Sequence, residues 1–367
     1  MSIKLKIIFS VLMITALVFG FVHIYFPADN YSFERLHIFL FNLCTGGTIL
    51  LYYTQGREEV SKTVWIFFSG SLIYAFSAFF KLYPVTILVS VILFVLVEKI
   101  RMEKFSFLPF LFFKSQEPVS EKFHQASLMC LSCGLVMATL VILNNEYFKF
   151  VTMEKLTLNT FFLGFSFPLS LITLLLVFSM LKKIEGSSAK VLMELCFWTI
   201  TLGVIIFFVF ILVERFIPQI FVTSALFMAV VTVFYLYSKF ADEIQQKLFL
   251  TSGIGFLIFT AITGIAYIFL QMSEGYDPLK TKWLIHMHVF ASLYGWNLCG
   301  LSVICRIDDF PIKLHSPTVI CIHWLTAIVL APLGVFYGWF AILAIIGYSF
   351  ITLTLFFSSN KRKIADE

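Results

Sequence analysis

The chain has 367 residues, of which 60% are hydrophobic and 13% charged. A soluble globular domain is about half apolar and about a quarter charged, so this composition excludes one. The net charge of +5 is divided among short connections, which gives no footing for nucleic acid and fits basic loops on one side of a membrane.

A helix that crosses a bilayer needs roughly 20 mainly apolar residues. Such windows recur along the whole chain and predict one all-α, polytopic membrane domain over residues 1–367. About twelve transmembrane helices are expected, near 4–26, 34–54, 62–81, 83–100, 123–145, 156–181, 190–214, 217–238, 248–271, 283–305, 318–333 and 336–358. The first apolar segment follows Lys4 and Lys6 as a signal sequence would. The bulky stretch "FVHIYFPADN" after it offers no small-residue cleavage site, so the segment is read as a span. Proline supplies the break between spans three and four, at "KLYP", and between the last two, at "APLGVFYG". The longest polar connections, 98–122 and 272–282, are too short to fold alone. The 46 phenylalanines read as lipid-facing filler, and the seven cysteines as small polarizable packing groups rather than a disulfide framework.

Lys and Arg set the orientation. With the N-terminus inside, nineteen of the 26 basic residues fall in inner segments. The outer seven are Arg35, Lys81, Lys149, Lys155, Arg215, Lys280 and Lys282. The positive-inside rule thus predicts cytoplasmic N- and C-termini, in the inner (cytoplasmic) membrane if the chain is bacterial.

That orientation gives each histidine a depth. His23, His37, His286 and His288 lie near the outer ends of spans one, two and ten, within about two helical turns of each other. His124 begins the fifth span on the inner side, His315 sits in an inner loop, and His323 lies in the inner half of the eleventh span. His286 and His288 are two residues apart and point roughly 200° from each other on a helix. They cannot readily chelate one ion, but they can reach two objects on opposite flanks. A flat cofactor on each flank, each iron taking one of the two imidazoles, satisfies that geometry, and His37 is at the right depth to supply a second ligand to one of them.

Twelve spans, an inside N-terminus, a histidine at the outer end of span two and His-x-His in "HMHVFASLYGW" on span ten together resemble the catalytic subunit of the haem–copper oxidases. The resemblance implies an oxidase subunit I-like bundle carrying one or two haems, b-type by expectation. His37 and His288 would clamp one haem and His286 would ligate another. Arg35 would meet haem propionates, with Lys280, Lys282 and Arg215 as the other cations in reach. The sequence departs from the family in ways that matter. Spans six and seven contain no histidine, so the copper ligands and the histidine–tyrosine pair are missing, and no carboxylate lies deep in a span. Oxygen or NO reductase activity is therefore not expected. What remains is similar to the haem-containing nitric-oxide-response membrane proteins of that superfamily, with electron transfer or NO/O2 binding as the function. An electron donor or a respiratory-complex subunit would be the partner.

Other features have plainer readings. His23, His124 and His323 read as helix–helix hydrogen-bond partners. Cys130 and Cys133 share a helix face and could hold copper(I), although tight packing explains them as well. Gly46–Gly47, Gly253, Gly255, Gly295 and Gly300 mark close helix approach or room for a ligand. Asn297 should face the flank of His286 as a supporting hydrogen-bond partner. Asp308 and Asp309 read as a solvated turn. Two other functions fit the same residues: a transporter or metal-handling permease using the outer histidines as a transient site, and an assembly partner with no cofactor.

Overall fold

The computed structural model describes residues 1–26, 31–56, 59–153, 155–182, 187–241, 246–307 and 316–358. They form twelve long helical rods. These are α1 (Ile3–Tyr25), α2 (Phe33–Thr54), α3 (Lys62–Phe79), α4 (Tyr83–Lys104), α5 (Val119–Phe148) and α6 (Leu156–Phe161 running on through Phe167–Ser179). The second half has α7 (Ser187–Leu212), α8 (Phe216–Phe240), α9 (Gln246–Gln271), α10 (Pro278–Arg306), α11 (Pro317–Gly334) and α12 (Gly338–Phe357). Among the described residues, eleven of these are long and apolar enough to cross a membrane. The chain is a polytopic helical membrane protein. The rod outside that set is α4, whose last turns carry Glu98, Lys99, Arg101, Glu103 and Lys104.

Local chemistry sets the starts. Ser32, Ser61, Asp277 and Ser316 each cap a rod by accepting from a first-turn N–H. Pro84, Pro278 and Pro317 occupy first-turn positions, where the missing N–H costs nothing. The expected break at "KLYP" is present, with Lys81 in the left-handed region at φ 58°. The last break falls at residues 335–337, slightly beyond the proline, because Pro332 is accommodated in the final turn of α11.

Three rods form the centre. In the apolar stretch of α2, 94% of residues are buried; for α10 the figure is 83% and for α6 72%, against 22% for α7 and 28% for α8. These three rods touch one another, and the other nine surround them. The chain thus passes through the centre once in every four helices. All three inner rods contain a π-turn: Phe39–Gly47 in α2, Phe162–Ser166 in α6 and Ala291–Asn297 in α10. Such wide turns leave backbone carbonyls free for side chains of neighbouring helices and often occur at functional sites. Gly134 of α5 and Gly164 of α6 meet backbone to backbone, at a separation no Cβ could share.

Phenylalanine departs from the filler reading. Phe9, Phe39, Phe41, Phe67, Phe123, Phe165 and Phe197 are fully buried, many in edge-to-face pairs such as Phe39–Tyr74 and Phe123–Phe197. With few polar groups to specify helix contacts, ring geometry takes over part of that role.

Candidate functional site

The first half of α10 carries two imidazoles on two flanks, and each flank meets different neighbours. On one, Phe290 lies 6.4 Å from the His286 ring and 5.8 Å from that of Tyr294, centroid to centroid. In a regular helix Tyr294 would have rotated roughly 80° away from His286. The π-turn that begins at Ala291 turns less per residue and keeps the three side chains in one file. This file faces α1, α2 and α12: Phe290 stacks on Phe21 at 6.0 Å, and Tyr294 packs on Phe41 at 5.3 Å and Tyr348 at 4.9 Å.

His37 joins the same file from α2. It is buried, and its Nδ1–H donates to the carbonyl of Ala16 on α1 at 2.8 Å. The phenolic oxygen of Tyr294, 2.9 Å from the same nitrogen, is a second acceptor for that hydrogen. A Cβ at Gly20 would stand 3.1 Å from Nδ1, so glycine there lets the ring lie flat against α1. With the proton held on Nδ1, Nε2 keeps its lone pair.

His288 faces the opposite flank. Its Nδ1–H donates to the carbonyl of Thr260 on α9 at 2.9 Å, and the Thr263 hydroxyl is 3.5 Å away. Gly264 of α9 provides room for this ring, as Gly20 does for His37. His288 therefore has the same tautomer as His37, again with a bare Nε2. His286 differs, since its Nε2 is buried and has no hydrogen-bond partner.

These groups suit iron in donor chemistry. Neutral imidazole nitrogen is a ligand that haem iron takes. A carbonyl that holds Nδ1–H, so that Nε2 points to a metal, is the usual second contact of a metal-bound histidine. An orphaned, buried Nε2 on His286 is a polar atom awaiting a partner.

The structure brings together some of the expected residues and separates others. The histidine sharing a flank with His37 is His286, whereas His288 is turned to α9. The π-turn carries the His286 face, not the His288 face, down to Tyr294, whose hydroxyl meets His37. Arg35 is also turned away from His37, as their spacing of two residues requires. It lies over Phe161 at 5.9 Å and lines a cavity of about 40 Å³ with Tyr74, Tyr83, Asn145 and Glu146. It is not placed to meet acidic groups of a cofactor beside His37. Asn297 does not face His286. It is bonded to Ser170 at 3.0 Å and to the Ser166 hydroxyl at 3.3 Å on α6, again because the π-turn alters the helical phase.

The remaining histidines act as bonding partners. His23 lies 3.8 Å from Glu34. His124 is fully buried and uses both nitrogens: Nε2–H donates to Thr54 Oγ1 at 2.8 Å, and Nδ1 accepts from Lys104 at 3.1 Å. His323 donates from Nε2 to the Tyr294 carbonyl at 2.7 Å and, like His286, buries its other ring nitrogen without a partner. Cys133 is exposed and Cys130 partly buried, and among the described residues no cluster of three metal-ligating side chains forms. His315, Asp308 and Asp309 lie outside the described residues.

Tyr294 is the residue that sequence reading missed. Its hydroxyl meets His37, its carbonyl receives His323, and its ring touches two other helices, α2 and α12. The signal was there in a tyrosine inside a buried span beside Gly295, eight residues after His286. Compared with protein-family models, curated proteins and solved structures, the chain matches none.

Proposed function

We propose that this chain is a haem-binding integral membrane protein, built like the haem–copper oxidase catalytic subunit without its copper site, that serves electron transfer or the binding of a diatomic gas. One observation carries the reading. His37 and His288 each lock Nδ1–H onto a main-chain carbonyl and keep Nε2 bare, while His286 buries an unpartnered Nε2 in the same layer. His124, by contrast, spends both nitrogens on protein partners.

Haem would supply an iron that changes redox state or takes a gas molecule. His37 and His286, on one flank, are the pair assigned to one such iron, and His288 is the ligand of a second on the α9 side. The chain's own part is positional. Ala16 and Thr260 fix the tautomers, and Tyr294 steadies the His37 ring. Phe21 and Phe290 stack at 6.0 Å beside the shared flank and make it more apolar, which raises the cost of leaving an imidazole nitrogen unligated.

The test is a reduced-minus-oxidised visible spectrum of the purified protein. Sharp α and Soret bands of a six-coordinate haem are expected, lost in His37→Ala and in His286→Ala and retained in His288→Ala. Loss in His288→Ala instead of His286→Ala would restore the pairing implied by the oxidase resemblance. A preparation with no bands after haem supplementation would overturn the reading, leaving a permease or an assembly partner.

A further inference from the structure

The α4–α5 connection, residues 105–118, has the build of a membrane-inserted segment rather than of a solvent loop. Phe107, Leu108, Phe110 and Phe113 are 70%, 50%, 60% and 74% exposed, four large apolar side chains within seven positions. Five main-chain carbonyls beneath them are satisfied from within. The Ser106 and Phe107 carbonyls accept from Arg101, at 3.0 and 3.1 Å. The Leu108 carbonyl accepts from the Ser106 hydroxyl at 2.6 Å and from Phe110 N–H at 2.8 Å. The Pro109 and Leu111 carbonyls accept from Phe112 and Lys114, closing a 3₁₀ turn over Phe110–Phe113. Non-helical backbone tolerates hydrocarbon only when its polar groups are met inside the protein, and a loop facing water has no need of that.

Depth follows from the neighbours. Phe112 packs on Phe197 of α7 at 5.2 Å, and Phe113 on Trp198 at 5.4 Å. Phe197 in turn packs on Phe123 of α5 at 5.1 Å. Phe123 is four residues into α5 and Phe197 ten residues into α7, so the Phe112 ring packs on side chains inside both apolar helices rather than beyond their ends. Interfacial segments rest about 5–10 Å into the boundary of headgroups and acyl chains. The exposed side chains continue the apolar surface of α7, where Val191 and Leu195 are also exposed.

We propose that residues 105–113 insert into the lipid leaflet on their own side of the membrane, the partner being the headgroup–acyl boundary of the bilayer. There they roof a buried ionic cluster. Arg101, 3% exposed, pairs with Glu98 at 2.6 Å directly beneath the segment and supplies two of its carbonyl bonds. The lipid-facing rings and the guanidinium thus support each other, one screening water and the other satisfying the backbone.

The experiment is site-directed spin labelling in proteoliposomes. Single cysteines replace Phe110, Phe113, Gln116 and Leu195 in a background where the exposed Cys133 and Cys321 are alanine. Labels at 110 and 113 are expected to show the high oxygen and low nickel-chelate collision rates of the lipid-facing control at 195. The label at 116 is expected to show the reverse. Nickel accessibility at 110 and 113 equal to that at 116 would overturn the proposal. Hydrogen exchange of the unaltered protein in nanodiscs gives a second reading: slow exchange over 107–113 supports insertion, and exchange as fast as at 115–117 counts against it.

Discussion

The two ends of the bundle treat ionisable side chains differently. Where α4, α5 and α7 meet, the buried charges among the described residues are paired. Arg101 pairs with Glu98, Lys104 with Glu121 at 3.1 Å, and Lys122 with Glu194 at 2.6 Å, while Lys104 and Thr54 take up both nitrogens of His124. At the other end, the imidazoles of His37 and His288 are held by one nitrogen and left bare at the other, and His286 has a buried nitrogen with no partner. Full pairing makes architecture, because each member would be costly alone in a low-dielectric interior. A group that is positioned and left open has its geometry set for something the chain does not itself contain.

The largest expected effect comes from breaking the paired end. Lys122 is 1% exposed, so Glu194→Leu leaves an uncompensated buried ammonium and should destabilise the protein by about 3–5 kcal/mol. Lys122→Met combined with Glu194→Leu should recover most of that loss. Chemical denaturation in detergent measures both, and a single variant as stable as the wild type would show that this end is not held by its ion pairs. A smaller effect is expected at the open end. Tyr294→Phe removes one acceptor from His37 and should cost about 1 kcal/mol, since the Ala16 bond remains. A much larger loss would mean that the layer is sustained by internal bonds, like the paired end.

The smallest effect separates the two ends most sharply. In the cofactor-free protein, His286→Leu removes an unsatisfied buried nitrogen and should leave stability unchanged or slightly raised, because an orphaned polar group is itself a penalty. Clear destabilisation in that state would identify a bond for His286 within the protein and would close the open end.

Legibility from sequence follows the range of the forces involved. The run of apolar helices and the break at Pro84 were legible because hydropathy and proline act over one helix at a time. Which flank each imidazole faced was not. A π-turn adds a residue to one turn and shifts the phase of everything after it, so the 3.6-residue period misplaced Asn297. Tyr294 escaped notice because its role depends on contacts from α2, α11 and α12, none of them near it in the chain.

Composition and periodicity alone determined that the chain is a many-helix membrane protein with imidazoles gathered toward one face, because burial of apolar length is decided segment by segment. Only the tertiary structure decided that α2, α6 and α10 occupy the centre, that His286 rather than His288 shares the side of His37, and that Arg35 looks elsewhere. Those outcomes depend on how helices far apart in the chain pack and on the phase of single π-turns, and no local pattern of residues encodes either.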